Sequence, residues 1–250
     1  MESQKKEYDF PTEEVELPSK GLVYPKENPL SSGKVTMCYM TAKHEDLLTN
    51  QNYIKNGTVI DKLLKSLIVS GGNYDDLVIG DKNAIMVAAR ILGYGKDYEV
   101  TYNGQKITID LSKVEPFELD ESIITEGKNE FTFTLPSTDV VIKYKLLTNH
   151  DDKKIQAELN GLAKINKQET HELTTRLKHM ILSIDGNSDE KYIRKYVDIQ
   201  LLAKDSRAFR EHIRKTQPDI NLTFQYDGEN GTEEGIIPIL TTFFWPDAGL

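Results

Sequence analysis

The sequence predicts an α+β protein: a mostly helical body with an inserted small antiparallel β subdomain and a C-terminal β-hairpin. Three observations predict it. Apolar residues recur at helical spacing on both sides of residues 97–147. Within that interval the period changes to alternation, and Asn103-Gly104 supplies the positive-φ pair that a tight hairpin turn demands. The stretch 219–250 returns to short extended runs around Asp227-Gly228-Glu229-Asn230-Gly231. The implied divisions are a flexible lead-in (1–16), a strand-plus-helices part (17–96), the β subdomain (97–147), a helical part (148–218), and the C-terminal hairpin and tail (219–250).

Taken in order, residues 1–16 read as an acidic, flexible lead-in. Pro18, Gly21, Pro25 and Pro29 forbid a continuous helix, so the next stretch should lie extended across other parts of the chain. Lys34 to Met40 alternates and predicts a strand. Thr41 is a good N-cap for a helix whose first turns hold Glu45 and Asp46. Ile60, Leu63, Leu64, Leu67 and Ile68 form a one-sided stripe that predicts a helix over Val59 to Val69, stopped by Gly71-Gly72. Another helix is expected from Lys82 to Leu92, capped by Asp81 and ended by Gly93 and Gly95.

Tyr98 to Tyr102 and Lys106 to Leu111 form the first predicted hairpin, Phe131 to Leu135 and Val140 to Tyr144 the second. Asp151 or Asp152 should start a long helix with Ile155, Leu159, Leu162 and Ile165 on one face. A second apolar set follows at Leu173, Leu177, Met180, Ile181 and Ile184, and Gly161 with Asn166 to Thr170 permits either one helix or two. Asp185 to Ser188 is a turn, Glu190 to Lys204 and Ser206 to Lys215 are helices, and Asn221 to Trp245 is a hairpin.

Composition narrows the functional classes. The 250 residues suffice for a buried core, and 28% charged with 8% aromatic residues suits a folded soluble chain. A net charge of −9 argues against general affinity for nucleic acid, whose phosphates need a basic surface. Ile199 to Ala203 and Ile236 to Leu240, the longest apolar runs, are too short to span a bilayer. The polar start lacks the apolar centre of a secretion signal, so the sequons at Asn56, Asn221 and Asn230 are expected to stay unmodified. With Cys38 as the lone cysteine, no internal disulfide forms, and a reducing cytoplasm is the simplest setting.

Catalytic and metal patterns are sparse. His171-Glu172 opens like a zinc-protease motif, but His179 follows eight residues later, about 12 Å along a helix and too far to share one ion. Asp185 to Asp189 alternates oxygens like a calcium loop, yet Glu190 stands where glycine is needed and Tyr196 where a bidentate glutamate is needed. Gly93-Tyr94-Gly95 follows a helix instead of leading into one, so it reads as a helix stop rather than a phosphate turn. Cys38, with His44 nearby in sequence, reads as core. Arg207, Arg210 and Arg214 share a helix face that reads as solvated, offset by Asp205 and Glu211. No catalytic residue, cofactor or metal is therefore expected.

Two terminal signatures remain: Leu17-Pro18-Ser19-Lys20-Gly21-Leu22-Val23-Tyr24, and Pro238 to Pro246 with Phe243-Phe244-Trp245. Both combine turn formers with large apolar groups, the chemistry of packing and docking. Three consecutive aromatics in a strand would point to both faces, one against the core and one needing a partner, a covering loop or water. Leu17, Pro18, Ser19, Gly21, Tyr24, Phe243, Phe244, Trp245 and Pro246 are accordingly the candidate protein-docking residues, and packing onto this chain's own core is the alternative for them.

The order of these motifs resembles a known family. Leu-Pro-Ser-Lys-Gly with a following Tyr, Met40-Thr41-Ala42-Lys43-His44-Glu45-Asp46-Leu47-Leu48, Gly80-Asp81 before a helix with Arg90, Gly93-Tyr94-Gly95, and Pro238 with Phe243-Phe244-Trp245-Pro246 are similar to the baseplate proteins of T-even-like contractile-tailed phages. The resemblance implies a non-enzymatic assembly factor, or chaperone, for the baseplate hub. It would dock other hub or tape-measure proteins in the host cytoplasm, with no nucleic-acid, membrane or small-molecule partner. A structural hub subunit retained in the virion is the alternative, and a tail-associated hydrolase ranks below it. Some relatives carry a paired-cysteine turn in the last hairpin. Phe224 to Gly228 has no cysteine, so a zinc-held hairpin is not implied here.

Overall fold

The computed structural model describes residues 11–165, 171–228 and 231–244. Its α+β architecture agrees with the expectation: helices carry most of the body, and small antiparallel sheets are set among them.

The first sheet joins β1 (Thr12–Glu16), β2 (Lys34–Cys38) and β3 (Ile68–Ser70) in the order β1-β2-β3. Residues 12–16 are thus a strand rather than part of a flexible lead-in; residues 1–10 lie outside the described residues. The strand forms because Val15 pairs with Val35, a buried β2 residue, while the glutamates around it stay in water. Three helices follow β2: α1 (Ala42–Leu48), α2 (Gln51–Lys55) and α3 (Val59–Leu67). Thr41 is the α1 N-cap as expected, and its backbone N–H donates to His44 Nδ1 at 3.0 Å. The α3 stripe buries Val59, Leu63, Leu64 and Leu67. That helix stops at Leu67, two residues before the expected end, because Ile68-Val69-Ser70 adds to β2 as a strand.

Helix α4 (Ile79–Tyr94) is the central element and touches β1, α3 and the last helix. Beyond it, β4 (Asp97–Tyr102) and β5 (Gln105–Asp110) form the first hairpin, with φ of +49° at Asn103 and +82° at Gly104. The second hairpin, β6 (Phe131–Thr134) and β7 (Val141–Tyr144), belongs to a different sheet. Its third strand is β8 (Ile181–Ile184), which follows α5 (Asn149–Ile165) and α6 (Glu172–Met180). The stretch 97–147 is therefore two hairpins in separate sheets. The second apolar set splits at Met180 because Ile181 and Ile184 find strand partners on β7 and are buried there.

Two helices form as expected, but the break falls earlier: α7 (Glu190–Ile199) ends five residues before the expected Lys204, and Ala203 and Lys204 open α8 (Ala203–Thr216), whose Phe209 and Ile213 are buried. The tail is a hairpin only as far as β9 (Thr223–Gly228) and β10 (Gly231–Ile236); a single-turn helix, α9 (Thr241–Phe244), follows. One contiguous apolar cluster runs from Leu17 to Phe244, with Ile85 and Ala89 of α4 fully enclosed.

Candidate protein-docking site

The first terminal signature is a polar clasp on the start of α4. Lys20 and Gly21 take φ of +53° and +79°, and that turn drives Ser19 and Tyr24 inward. Only glycine fits at position 21. A Cβ there would stand 2.4 Å from the Ser31 carbonyl oxygen, in a backbone region that side chains disfavour. Asp81, fully buried, accepts from the Ser19 N–H at 2.8 Å, the Ser19 hydroxyl at 2.6 Å and the Tyr24 hydroxyl at 2.5 Å. The Tyr24 oxygen in turn accepts the Val78 N–H at 3.0 Å, which gives a partner to a backbone donor at the helix start.

Asp81 was expected as the N-cap. The helix begins two residues before it, and Asp81 sits inside the first turn as the receptor of the Ser19–Tyr24 turn. Burial pushes its carboxyl up to about 6, outweighing the hydrogen bonds that favour the carboxylate. Burial and the neighbouring Asp81 charge together hold the Tyr24 hydroxyl well above its usual range.

At the other end of α4 Gly95 is the C-cap, whereas Gly93, expected to help end the helix, lies inside its last turn. The buried Arg90 guanidinium donates to the Gly95 carbonyl at 3.0 Å and the Asp97 carbonyl at 3.3 Å. It also lies over the rings of Tyr94 and Tyr98. A Cβ at Gly93 would meet the Met40 sulfur at 2.4 Å, so that glycine marks a close approach. Phe243 packs edge-on to Tyr98 at 4.9 Å and to Phe244 at 5.1 Å, and both phenylalanines are fully buried. Because α9 is a helical turn, consecutive aromatics no longer have to face opposite ways, and both reach the core.

Most of the candidate docking residues therefore show no free face. Ser19, Gly21, Tyr24, Phe243 and Phe244 are interior. Trp245 and Pro246 lie outside the described residues. Leu17 and Pro18 are buried too, yet they form one wall of an open apolar groove of about 330 Å³. Its floor is the half-buried face of α4 carrying Ala84, Ala88 and Ile91, at four- and three-residue spacing. The far wall is Val114, Pro116 and Phe117, held by the Phe117 N–H to the Asp219 carbonyl at 2.9 Å and the Asn221 N–H to the Glu115 carbonyl at 2.8 Å. The Phe117 side chain is half exposed, at 50%.

Sequence reasoning missed this groove. Its signals were the Ala84-Ala88-Ile91 stripe and the Pro116-Phe117 pair set among acidic residues, each unremarkable alone.

The remaining motifs are structural. His179 Nε2 lies 2.8 Å from Glu158, which also takes two hydrogen bonds from Arg194. Asp185 accepts the Val141 N–H at 2.8 Å and so ties its turn to β7. Burial pushes the Cys38 thiol up, away from the reactive thiolate. Arg207 pairs with Glu211 at 3.1 Å, and Arg210 donates to the Ser206 carbonyl. Among the described residues, no three His, Cys, Asp or Glu side chains converge as a metal group, and no helix is long and apolar enough to cross a membrane.

Compared with protein-family models, curated proteins and solved structures, the chain matches none.

Proposed function

We propose that this chain is a non-enzymatic docking factor for assembly of the baseplate hub of a contractile phage tail, acting in the host cytoplasm. The observation that carries docking is the groove between Leu17-Pro18, α4 and Phe117. It is apolar, open to solvent and rimmed by a half-exposed aromatic, the type of residue that dominates binding energy at interfaces. The setting is supported by the ordered motifs that resemble the phage baseplate family.

The same motifs have a clear physical task. They fasten both ends of α4, which is the floor of the groove, and they shape Leu17-Pro18 into its wall. A partner would bury the Phe117 ring and the small-residue stripe of α4 without any bond being made or broken.

Co-purification from phage-infected cells tests this. The unaltered chain should capture hub or tape-measure components, and Ala88→Arg, which fills the groove with a charged side chain, should lose them while keeping its helical circular-dichroism signal. Equal capture of the same proteins by the folded variant would contradict the proposal.

A further inference from the structure

The groove is lined in part by β1, whose outer edge is unpaired among the described residues. Of the first sheet's strands, only β1 contributes to the lining, through Val15 and Glu16, and the chain just beyond it adds Leu17 and Pro18. The bonds from β1 to β2 fix which β1 backbone groups point away from the sheet. Leu17 donates to the Gly33 carbonyl at 2.8 Å, and Tyr39 donates to the Pro11 carbonyl at 3.4 Å. The odd-numbered residues therefore bond inward to β2. In antiparallel pairing, Thr12, Glu14 and Glu16 then turn their N–H and C=O groups outward. Among the described residues, none pairs with that outer edge.

Charge gives the edge a sign. Glu13, Glu14 and Glu16 are exposed, and one lysine, Lys34, lies 3.5 Å from Glu14 and 3.7 Å from Glu16. Lys20, at the groove's end, is engaged by Glu121 at 2.5 Å. Glu115 and Glu118 flank Phe117 on the opposite wall, and both are exposed.

We infer that the partner enters as an extended segment alternating apolar and basic residues, which adds to β1 as a new edge strand. Its main chain bonds the outward groups of Thr12, Glu14 and Glu16. Its apolar side chains, all on one face, fill the groove against Ala88 and Phe117, and its basic side chains meet the glutamates. This rests on the docking reading above and specifies the chemistry of the partner.

The test uses the full chain with a synthetic heptapeptide alternating valine with lysine, a valine–glutamate counterpart, and a lysine peptide N-methylated on the amides that would face β1. Fluorescence anisotropy reports affinity, and amide hydrogen exchange reports position. The basic peptide should bind saturably and slow exchange at Thr12, Glu14 and Glu16. N-methylation should weaken it at least about tenfold, because strand addition draws its affinity from main-chain bonds.

Glu14→Pro removes one outward N–H at an edge position where proline is tolerated. It should weaken the peptide similarly while the β2 amides stay protected. Equal binding of the methylated or acidic peptide, or protection confined to residues 111–117, overturns strand addition. So does concentration-dependent protection of the β1 amides without peptide, which would make a second copy the occupant. These outcomes are separate from the Ala88→Arg test: loss of capture there, with no β1 protection here, leaves docking standing and removes only the strand.

Discussion

The segment from Val15 to Tyr24 has two sides that behave oppositely. On one, Ser19 and Tyr24 are buried and converge on Asp81. On the other, Leu17 and Pro18 edge a groove that stays open. The clasp is polar, short-ranged and closed on itself; the groove is apolar and lacks a cover among the described residues. Apart from Leu17 and Pro18, the residues of this signature that suggest a family fall on the closed side. Those available to a partner are Phe117 and small or aliphatic residues that any helix or loop could carry. Distinctive residues mark demanding geometry, and in this chain the demanding geometry is internal.

If the clasp is structural, breaking it should strongly destabilise the chain. Asp81→Ala leaves three buried donors without an acceptor and should cost roughly 4–6 kcal/mol in denaturant unfolding, the largest single loss expected. A loss below about 1 kcal/mol would show that water satisfies these donors and that the clasp is not closed. Phe243→Ala, which empties a fully enclosed site beside Tyr98, should cost roughly 3–4 kcal/mol.

The clasp also makes a pH prediction. The Asp81 carboxyl is raised to about 6 in the folded chain, so the folded state holds a proton that the unfolded state has released. This group's contribution therefore improves as pH falls through 6 and is complete near 4, by about 3 kcal/mol for a shift of that size. Asp81→Asn should flatten that part of the stability profile between pH 7.5 and 4.5. A wild-type profile that is already flat there would contradict a carboxylate whose burial outweighs its hydrogen bonds.

Across the segment, the groove side should respond in the opposite manner. Phe117→Ser exposes little that was buried and should cost less than about 1 kcal/mol of stability, while partner capture falls sharply. Glu158→Gln, at a part-exposed pair with Arg194 and His179, should change stability by no more than about 1 kcal/mol and leave capture intact. It serves as the control for a polar contact remote from both sides.

Much of the fold was legible because local chemistry and tertiary structure agreed. Asn103-Gly104 turned where expected, Thr41 capped α1, and the Leu63-Leu64-Leu67 stripe was buried. What was not legible depended on contacts distant in sequence. Ile68 to Ser70 and Ile181 to Ile184 continue helical stripes, and only the waiting edges of β2 and β7 convert them to strands. Asp81 looked like a cap because Ser19, 62 residues away, could not be seen to need it.

The candidate site was half legible. Leu17 and Pro18 are buried, as packing onto this chain's own core predicts for Leu17, and they also line the groove. Phe243 and Phe244 were assigned to a strand that the chain replaces with a helical turn, and the groove itself is assembled from three separate segments.

The central claim is that recognition happens at the groove while the signature residues hold it in shape. Amide hydrogen exchange on the chain in complex with a captured hub component, compared with the free chain, tests this most directly. Exchange should slow at Thr12, Glu14 and Glu16 and across Leu111 to Phe117, with the buried Ser19–Tyr24 turn unchanged. Slowing confined to α9 and the residues that follow it, with the groove unaffected, would contradict the account.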